Sequence, residues 1–245
     1  MTKAALSDKD LCRQIGNKKL LSGPRFVYEL AMMEQGTFSI GLCAAAWGAA
    51  FFCGSIPFGY LAGRCQGIDV RKHGSGNIGS TNVFRVLGKK WGIAVFLADF
   101  FKGALPMALI LGFLAEGFPG LRGDMLFVGT ALAAILGHNY TPWLGFKGGK
   151  GIAVSAGVLL VLIPKALAAV LVVWLVLFAL TRTVSIASIA ASVLLPPAAW
   201  VLYPGRPVIF FFCLAAGLLG LWRHRGNIQR LRAGTESKIE RKARP

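Results

Sequence analysis

Long apolar stretches alternate with short polar segments along most of this chain. The apolar stretches cover residues 41–62, 91–115, 125–140, 152–163, 166–180, 186–203 and 208–222. A helix that crosses a hydrocarbon core of ~30 Å needs ~20 apolar residues, so the longer stretches predict straight spans and the shorter ones predict tilted or locally thinned crossings. The pattern therefore predicts an all-α, polytopic membrane protein.

Composition supports this fold class. Hydrophobic residues make up 55% of the 245 residues, charged residues make up 15%, and the mean hydropathy is +0.61. One soluble core of this size cannot bury so much apolar surface. We therefore expect much of the apolar surface to face membrane lipid.

The number of crossings depends on residues 152–180, which can form one long span or two short spans separated at Pro164 and Lys165. Residues 64–90 contain six Lys and Arg with one Asp, and residues 223–245 contain eight Lys and Arg. The positive-inside rule places both segments in the cytoplasm, and only the divided version keeps the C-terminus there. We therefore predict seven transmembrane helices, with the N-terminus outside and the C-terminus inside.

This topology divides the chain into three parts. Residues 1–40 form a polar N-terminal extension, residues 41–222 form the seven-helix membrane domain, and residues 223–245 form a basic cytoplasmic tail. The extension lacks the apolar core of a cleavable signal sequence. We expect the chemistry to lie in the cytoplasmic loops of the membrane domain.

The strongly basic balance needs its own explanation. The formal net charge is +17 and the isoelectric point is about 10.3, values that are common in nucleic-acid-binding proteins. Here the basic residues flank apolar spans, where they orient helices and contact anionic lipid. We therefore expect membrane lipid as a partner and no nucleic acid. Because no His, Cys, Asp or Glu cluster has metal-ligand spacing, we also expect no metal and no cofactor.

Three glycine-rich, basic segments share the predicted cytoplasmic side. They are GSGNIGSTNVFR at residues 74–85, GFKGGKG at residues 145–151 and WRHRGN at residues 222–227. Glycine lets backbone N–H groups converge on an anion, and Lys or Arg supplies the compensating charge. The three segments together predict a site for a phosphorylated substrate.

Two nucleotide-binding motifs are excluded by their context. The GxGxxG pattern at residues 74–79 lies between membrane helices, not between a strand and a helix of a βαβ unit. The segment 145–151 differs from a Walker loop because Leu144 stands at the first glycine position and Gly151 at the Ser or Thr position. Neither segment therefore predicts a nucleotide site.

An anion-binding loop before a helix is the remaining interpretation of the second segment. A helix begins near Ile152, so its positive end can face a phosphate. The residues that lead into it are Lys147, Gly148, Gly149, Lys150 and Gly151. The alternative is a plain connecting loop whose lysines extend toward the membrane surface.

Polar residues also occur inside the predicted spans. Asp99 and Lys102 are three residues apart on one helix and can neutralise each other, so we expect an ion pair between them. The alternative is that Lys102 is a second phosphate contact. Ser185 and Ser188 share a helix face near the cytoplasmic end. Serines inside membranes usually bond their own helix or a neighbour.

Several of these segments resemble one known family in sequence and in order. They are GSIPFGYLAG at residues 54–63, GSGNIGSTNVFRVLG followed by LADFFKG, GHNYTPWLGFKGGKG at residues 137–151, VSIASI and RHRGNIQRL. The chain is similar over residues 41–232 to the bacterial acyl-phosphate:glycerol-3-phosphate acyltransferases, the PlsY family. The resemblance implies a seven-helix enzyme of the bacterial inner membrane whose active site faces the cytoplasm.

The same resemblance implies a reaction and a set of residues. A fatty acyl group would pass from acyl phosphate to the 1-hydroxyl of glycerol 3-phosphate, giving lysophosphatidic acid and phosphate for phospholipid biosynthesis. By matching the family's motifs, the catalytic candidates are Ser75, Lys150, His224 and Asn227. The substrate-binding candidates are Ser75, Arg85, Lys102, Lys147, Gly148, Gly149, Lys150 and Ser188. The chain departs from the family at Gly226, where many members have an acidic residue.

The proton acceptor stays open at this point. His224 is the side chain most suited to accept a proton near neutral pH, and an oxygen of a substrate phosphate is the rival. An acyl phosphate carries a good leaving group, so direct attack needs no enzyme nucleophile. We therefore expect the protein to align two anionic substrates and to exclude water.

Two other functional classes fit the sequence less well. Acyltransferases that depend on coenzyme A often have Asp five residues after a catalytic His, but those positions here are Ile78, Trp143 and Gln229. An organophosphate transporter would place its basic site near the membrane midplane within repeated halves. The basic cytoplasmic face also suits transient contact with the enzyme that makes acyl phosphate, and it suits anionic lipid equally.

Overall fold

The computed structural model describes residues 24–115, 117–118 and 120–239, so most of the predicted N-terminal extension lies outside the described residues. The chain divides into two compact units, residues 1–45 and residues 46–245. The described part of the first unit is helical from residue 24 onward.

The described residues form helices joined by short loops, and they contain no strand. The α-helices are α1 (Pro24–Ser55), α2 (Phe58–Cys65), α3 (Ser80–Leu87), α4 (Lys89–Leu114), α5 (Leu121–Asn139), α6 (Ile152–Leu162), α7 (Pro164–Thr181), α8 (Val184–Leu202), α9 (Pro207–Arg223) and α10 (Arg225–Arg232). Short 3-10 turns occur at Val70–Lys72 and Pro142–Leu144. The predicted all-α class is confirmed.

Four helical segments are long and apolar enough to cross a membrane. They are Ile40–Cys65, Lys89–Leu114, Pro164–Thr181 and Val184–Leu202. The α9 and α10 pair counts as a fifth if taken as one span, and it bends by 53° at its break. The apolar α6 has only 11 residues. A membrane protein is therefore supported, while the seven crossings and their orientation stay predictions.

The chain is interrupted at Pro164, as the sequence predicts. The helix α6 ends at Leu162 and α7 begins at Pro164, with Ile163 between them in a non-helical conformation. Proline lacks a backbone N–H and disfavours helical geometry in the residue before it, so it separates the two helices. The two helices pack on different partners, since α6 lies mainly against α4 and α7 against α8.

Glycines allow α4 and α6 to approach closely. A methyl group placed on Gly157 would lie 2.1 Å from the carbonyl oxygen of Phe100, and one on Gly103 would lie 2.5 Å from that of Val154. Small residues at such crossings let the two backbones pack directly against each other. The crossing anchors the start of α6, which carries the loop with Lys150, against the helix that carries Asp99.

The ends of α5 and α9 that lie away from this loop are joined by charge. Asp124 in the first turn of α5 accepts hydrogen bonds from Arg206, the residue just before α9. The other ends of the same helices carry His138 and His224. The ion pair therefore links α5 and α9 at the ends opposite these two histidines.

Candidate active site

One cavity of about 190 Å³ collects polar side chains from separate segments of the chain. The predicted site residues that line it are Ser75, Arg85, Lys150, Ser188, His224 and Asn227. The cavity is also lined by side chains that sequence reasoning did not assign to the site, namely Asp99, His138, Ser185 and Glu236. Folding thus brings the three glycine-rich segments together.

The loop that carries Ser75 is held by the buried side chain of Asn82. The amide nitrogen of Asn82 donates to the carbonyls of Val70 and His73 at 3.0 and 3.1 Å, and its oxygen accepts from the Ser75 N–H at 2.8 Å. Gly74 adopts a φ of +59°, and a methyl group there would lie 2.4 Å from the Asn82 oxygen. Glycine is therefore required at position 74 both by its conformation and by its contact.

Arg85 reaches the cavity from α3. Its Nη2 donates to the Ser237 carbonyl at 2.9 Å, while its buried Nε has no acceptor within the described part of the chain. Burial lowers the pKa of Arg85 and the carboxylate of Glu236 partly opposes that shift. The side chain stays charged, because an arginine pKa begins far above neutral. Arg85 therefore brings a charged guanidinium with one unpartnered N–H to the lining of the cavity.

The predicted anion-binding loop differs from expectation at two glycines. The N–H of Gly148 donates to Asn139 O and the N–H of Gly149 donates to His138 O, each at 3.1 Å. Both N–H groups are therefore hydrogen-bonded to carbonyls at the end of α5, and neither glycine lines the cavity. The prediction that they point at a phosphate is not supported by their hydrogen bonds.

The end of the predicted anion-binding loop and the start of α6 do face the cavity. Gly151, Ile152 and Ala153 line the cavity, and the first N–H groups of a helix have no partner within that helix. Gly151 precedes the helix with a φ of +81°, which turns the chain from the loop into α6. The partial positive charge of this helix end therefore faces the cavity, and Gly151 belongs to the loop that the sequence analysis named.

Arg223 holds the same loop from the end of α9. Its guanidinium donates to the carbonyl of Gly148 at 2.8 Å and to that of Gly149 at 2.6 and 3.0 Å. It also lies over the ring of Tyr140, 5.3 Å from the ring centroid. The sequence gives no sign of this contact, because the partner carbonyls lie 74 and 75 residues away along the chain.

Lys150 is the cationic centre of the cavity. Its Nζ donates to the Asn227 side-chain oxygen at 2.5 Å. Burial lowers the pKa of Lys150 to about 8; the charge of Glu236 opposes this shift, and Arg230 and Arg85 are among the cations that add to it. A lysine that titrates near 8 is mostly charged at neutral pH, and an incoming anion would stabilise that charge.

His224 occupies the break between α9 and α10. Its Nδ1 lies 2.8 Å from the carbonyl oxygen of Gly220. Because a carbonyl only accepts hydrogen bonds, we assign the ring proton to Nδ1, which leaves the Nε2 lone pair free. Burial and the charge of Lys150 lower the pKa of His224 to about 4. The imidazole is therefore neutral near pH 7 and is a weak base.

Glu236 is a site residue that sequence reasoning missed. Its side chain is 5% exposed, and Oε1 accepts from Ser185 at 2.8 Å and from Asn227 at 2.6 Å, while Oε2 accepts from Arg230 at 2.7 Å. Burial opposes ionisation, but these hydrogen bonds together hold the pKa of Glu236 below its usual value. The predicted basic tail is thus partly folded back onto the site.

A short hydrogen-bonded chain connects that carboxylate to the cationic centre. Asn227 donates its amide to Glu236 and accepts from Lys150 with its oxygen. The amide can therefore adopt only one orientation, since reversing it would set N–H against N–H and oxygen against oxygen. In the sequence Glu236 is one of two Glu residues in the basic tail, and nothing in the pattern distinguishes it from the other.

Two predicted substrate contacts lie elsewhere. Lys102 forms the predicted ion pair with Asp99 at 2.8 Å, donates to Ile56 O at 2.7 Å, and does not line the cavity. Lys147 is exposed and also does not line it. The ion pair is confirmed, while the positions of Lys102 and Lys147 give no support to phosphate contacts.

An apolar groove of about 290 Å³ continues from the cavity between α6, α7, α8 and α9. Phe96, Lys150, Ile152 and Trp174 line both spaces. The apolar side chains farther along the groove include Leu159, Leu167, Val170, Leu171, Leu175 and Leu195. Ser188 lies at the junction, where its Oγ accepts from Trp174 Nε1 at 3.1 Å. A polar, cationic cavity and an apolar groove thus share part of their lining.

Comparisons with known proteins agree with this arrangement. A family model described as glycerol-3-phosphate acyltransferase matches residues 44–234. The glycerol-3-phosphate acyltransferase of Gloeobacter violaceus is 44% identical over 201 residues, which is 81% of this chain and 95% of the relative. That of Desulforudis audaxviator is 47% identical over 194 residues, which is 78% of this chain and 93% of the relative.

Solved structures show the same similarity. The crystal structure of PlsY (YgiH), an integral membrane glycerol 3-phosphate acyltransferase, in its glycerol 3-phosphate form aligns with a TM-score of 0.73 and 38% identity over 81% of this chain and 96% of that one. Its lysophosphatidic acid form aligns with a TM-score of 0.71 and 37% identity over 81% and 95%.

Proposed function

The chain belongs to the glycerol-3-phosphate acyltransferase family, and we propose that it transfers a fatty acyl group from acyl phosphate to the 1-hydroxyl of glycerol 3-phosphate. The products are lysophosphatidic acid and phosphate, which supply phospholipid biosynthesis. The observation that carries this proposal is the junction of a cationic cavity with an apolar groove at Lys150 and Trp174. An acyl phosphate has one end suited to each space.

Anion binding is assigned to the open N–H of Arg85, the ammonium of Lys150 and the start of α6. Two phosphorylated substrates repel each other, and these groups offset that repulsion inside a partly desolvated site. Ser75 lines the same cavity and can donate a hydrogen bond to a phosphate oxygen. The acyl chain then extends into the groove beside Leu159 and Leu171, away from water.

The reaction is a direct displacement. The 1-hydroxyl oxygen attacks the acyl carbonyl carbon, the bond from that carbon to the phosphate oxygen breaks, and the hydroxyl proton is lost. His224 is neutral and weakly basic because burial is the largest cause of its low pKa. We therefore assign His224 Nε2 to orienting the hydroxyl as a hydrogen-bond acceptor, and a substrate phosphate oxygen to accepting the proton.

Asn227 is assigned to fixing Lys150, and through it the acyl phosphate. Its amide orientation is set by Glu236 on one side and Lys150 on the other. A fixed ammonium needs no reorganisation when charge moves from the anhydride to the departing phosphate. Positioning and electrostatics thus account for catalysis without a covalent intermediate.

The assay for this proposal uses purified protein in lipid nanodiscs. Acyl phosphate and glycerol 3-phosphate together should give lysophosphatidic acid and phosphate in equal amounts without added coenzyme A, ATP or metal, because the anhydride itself drives transfer. Acyl coenzyme A is the matched control and should give little product. Folded protein that makes no lysophosphatidic acid, or that moves glycerol 3-phosphate across liposomes instead, contradicts the proposal.

The same preparation tests for an acyl-enzyme. Protein incubated with acyl phosphate alone should show no stoichiometric acyl adduct by intact mass, since no activated nucleophile lines the described cavity. An adduct on Ser75 that glycerol 3-phosphate releases at the turnover rate would replace direct transfer by a two-step mechanism.

For topology, we propose seven crossings in the bacterial inner membrane, with the N-terminus outside, the C-terminus inside and the site facing the cytoplasm. The partition into an extension (residues 1–40), a membrane domain (residues 41–222) and a basic tail (residues 223–245) belongs to the same proposal. Basic residues are frequent in the sequence segments that also contribute residues to the cavity, namely Arg64, Arg71, Lys72, Lys89, Lys90, Lys147, Arg225, Arg230 and Arg232. That enrichment supports a cytoplasmic site, and it suits anionic lipid and transient contact with the acyl-phosphate-forming enzyme.

Single cysteines test this orientation in a background without native cysteine. Cysteines at Lys90 and Lys238 should react only with reagents that reach the cytoplasm, whereas a cysteine at Arg122 should react from outside. The expected result follows from the proposed topology, because an even number of crossings separates Lys90 from Lys238 and a single crossing separates Lys90 from Arg122. Labelling of the Lys238 position from outside would mean that α6 and α7 do not cross separately.

A further inference from the structure

A carboxylate and an imidazole that the proposed phosphate contacts do not use also line the active-site cavity. Asp99 comes from α4 and His138 from the end of α5. Their residues are only 2% and 4% exposed. Side chains this buried need partners, since an unpaired polar group away from water is costly.

The charge of Asp99 is balanced from behind. Its Oδ1 lies 2.8 Å from Lys102 Nζ, which also donates to the carbonyl of Ile56 at 2.7 Å. Lys102 does not line the cavity, so the counter-ion lies on the far side of the carboxylate. Oδ1 has this ion-pair contact but no hydrogen-bond partner among the described residues, so the carboxylate keeps acceptor capacity. Asp99 thus brings a neutralised carboxylate with a free acceptor to the cavity.

His138 is fixed beside it without a partner of its own. Its buried Nδ1 lies 3.7 Å from Asp99 Oδ1, too far for a hydrogen bond, and no other described residue reaches it. The opposite side of the ring is held by the loop, because a methyl group on Gly149 would lie 2.0 Å from Nε2. The imidazole therefore has little room to turn toward another partner.

These two groups suit a hydroxyl and not a phosphate. A carboxylate repels anions, and the cavity already offers Arg85, Lys150 and the start of α6 to them. Glycerol 3-phosphate has an anionic end and two hydroxyls. Once its phosphate is held by the cations and its 1-hydroxyl faces the acyl carbon, the hydroxyl on C2 still needs an acceptor.

We propose that Asp99, beside the fixed ring of His138, accepts a hydrogen bond from the C2 hydroxyl of glycerol 3-phosphate and makes this hydroxyl a specificity determinant. The proposal rests on the acyltransferase function above and adds the recognition of one substrate group to it. It also supplies a third point of attachment beside the phosphate and the 1-hydroxyl. Three points are the minimum needed to distinguish the two mirror images at C2.

The test compares two acceptors, glycerol 3-phosphate and propane-1,3-diol monophosphate, which keeps the reactive hydroxyl and the phosphate but lacks the C2 hydroxyl. The wild-type protein should prefer glycerol 3-phosphate by at least ~10-fold in kcat/KM, because a site built for a hydroxyl is left unpaired by the analogue. Equal rates with the two acceptors would overturn the proposal. Absence of turnover with glycerol 3-phosphate itself would instead count against the proposed function.

The variant is the double substitution Asp99→Leu with Lys102→Met, which removes both charges at similar volume and leaves no unpaired buried ion. It should lose ~10-fold or more in kcat/KM for glycerol 3-phosphate while the analogue changes by less than ~3-fold, so that the preference largely disappears. The matched control is Asp124→Leu with Arg206→Met, an ion pair outside the cavity. The control should keep the wild-type preference.

An equal loss for both acceptors in a folded double variant would make the ion pair purely structural and would contradict the proposal. If the double variant does not fold, Asp99→Asn gives the same test at unchanged shape, with the preference expected to fall by ~3-fold or more. His138→Phe should lower the preference in the same direction. An unchanged preference in Asp99→Asn would overturn the assignment.

Discussion

Replacing Lys150 with alanine should lower kcat/KM by about 100-fold or more, with the protein still folded and inserted in membrane. Removing one partner of a desolvated charged contact typically costs about 2–5 kcal/mol, and each 1.36 kcal/mol is about tenfold in rate. Lys150 contacts Asn227 inside the cavity and lies two residues before the first residue of α6. Arg85→Ala should show a loss of the same order, because it removes the open guanidinium donor.

Lys147→Ala is the matched control for this prediction. Lys147 lies three positions earlier in the same loop, has the same charge, and is exposed outside the cavity. Its removal should change kcat/KM by less than ~3-fold, as expected for a solvated surface charge. Comparable losses in Lys147→Ala and Lys150→Ala would mean that the loop acts through its overall charge and not through one placed ammonium.

Removing the charge of Glu236 should move the alkaline limit of activity to lower pH. The carboxylate favours the charged form of Lys150, whose pKa lies at about 8. Without it the pKa of Lys150 falls further, because Arg85, Arg223 and Arg230 still oppose the ammonium. If charged Lys150 is needed, activity is complete below its pKa and is lost above it. Glu236→Gln should therefore lose more activity at pH 8 than at pH 6.5.

A pH profile of kcat and kcat/KM checks this expectation, since a residue that only supports the fold would lower activity equally at all pH values. Glu236→Asp should restore part of the wild-type profile by returning the charge. Asp69→Asn is the control, because Asp69 pairs with Arg71 in a loop and does not line the cavity. A profile in Glu236→Gln with an unmoved alkaline limb contradicts the coupling to Lys150.

The orientation of Asn227 gives the Glu236 prediction a second consequence. Glutamine can rotate to donate to Asn227 where the carboxylate accepted, so the amide between Glu236 and Lys150 would lose its fixed orientation. A mobile Asn227 holds Lys150 less well, which should lower kcat more than it raises KM for glycerol 3-phosphate. The loss of the Glu236 charge can be distinguished from the loss of a fixed Asn227, because only the loss of charge makes the decrease in activity depend on pH.

Local features of the sequence were sufficient for the long apolar helices but not for every helix. Apolar stretches of helical length predict α4 to α9, and Pro164 predicts the break between α6 and α7, whereas the short polar helices α3 and α10 were not predicted. Both signals act within a few residues, through burial of apolar side chains and the missing N–H of proline. The long motifs around Ser75, Lys150 and His224 likewise marked side chains that folding brings into one cavity.

Hydrogen-bond partners between distant segments could not be predicted in this way. The amides of Gly148 and Gly149 were expected to face a phosphate, but the carbonyls at the end of α5 accept from them. Lys147 and Lys150 have the same charge and neighbouring glycines, and only packing against Asn227, 77 residues beyond Lys150, distinguishes the buried one. A sequence pattern carries no record of which carbonyl or amide a later segment will bring into contact.

By itself, then, the sequence determined a helical membrane protein of the acyltransferase family and most of the side chains in its candidate site. The tertiary structure decided how those side chains are held: Arg223 on the loop carbonyls, Glu236 returning to Asn227, and Asp99 balanced by Lys102 beside the cavity. The physical reason is range. Hydrophobic length and helix breaking are local properties, whereas charge balance and hydrogen bonding in a buried site depend on groups that meet only after the chain has folded.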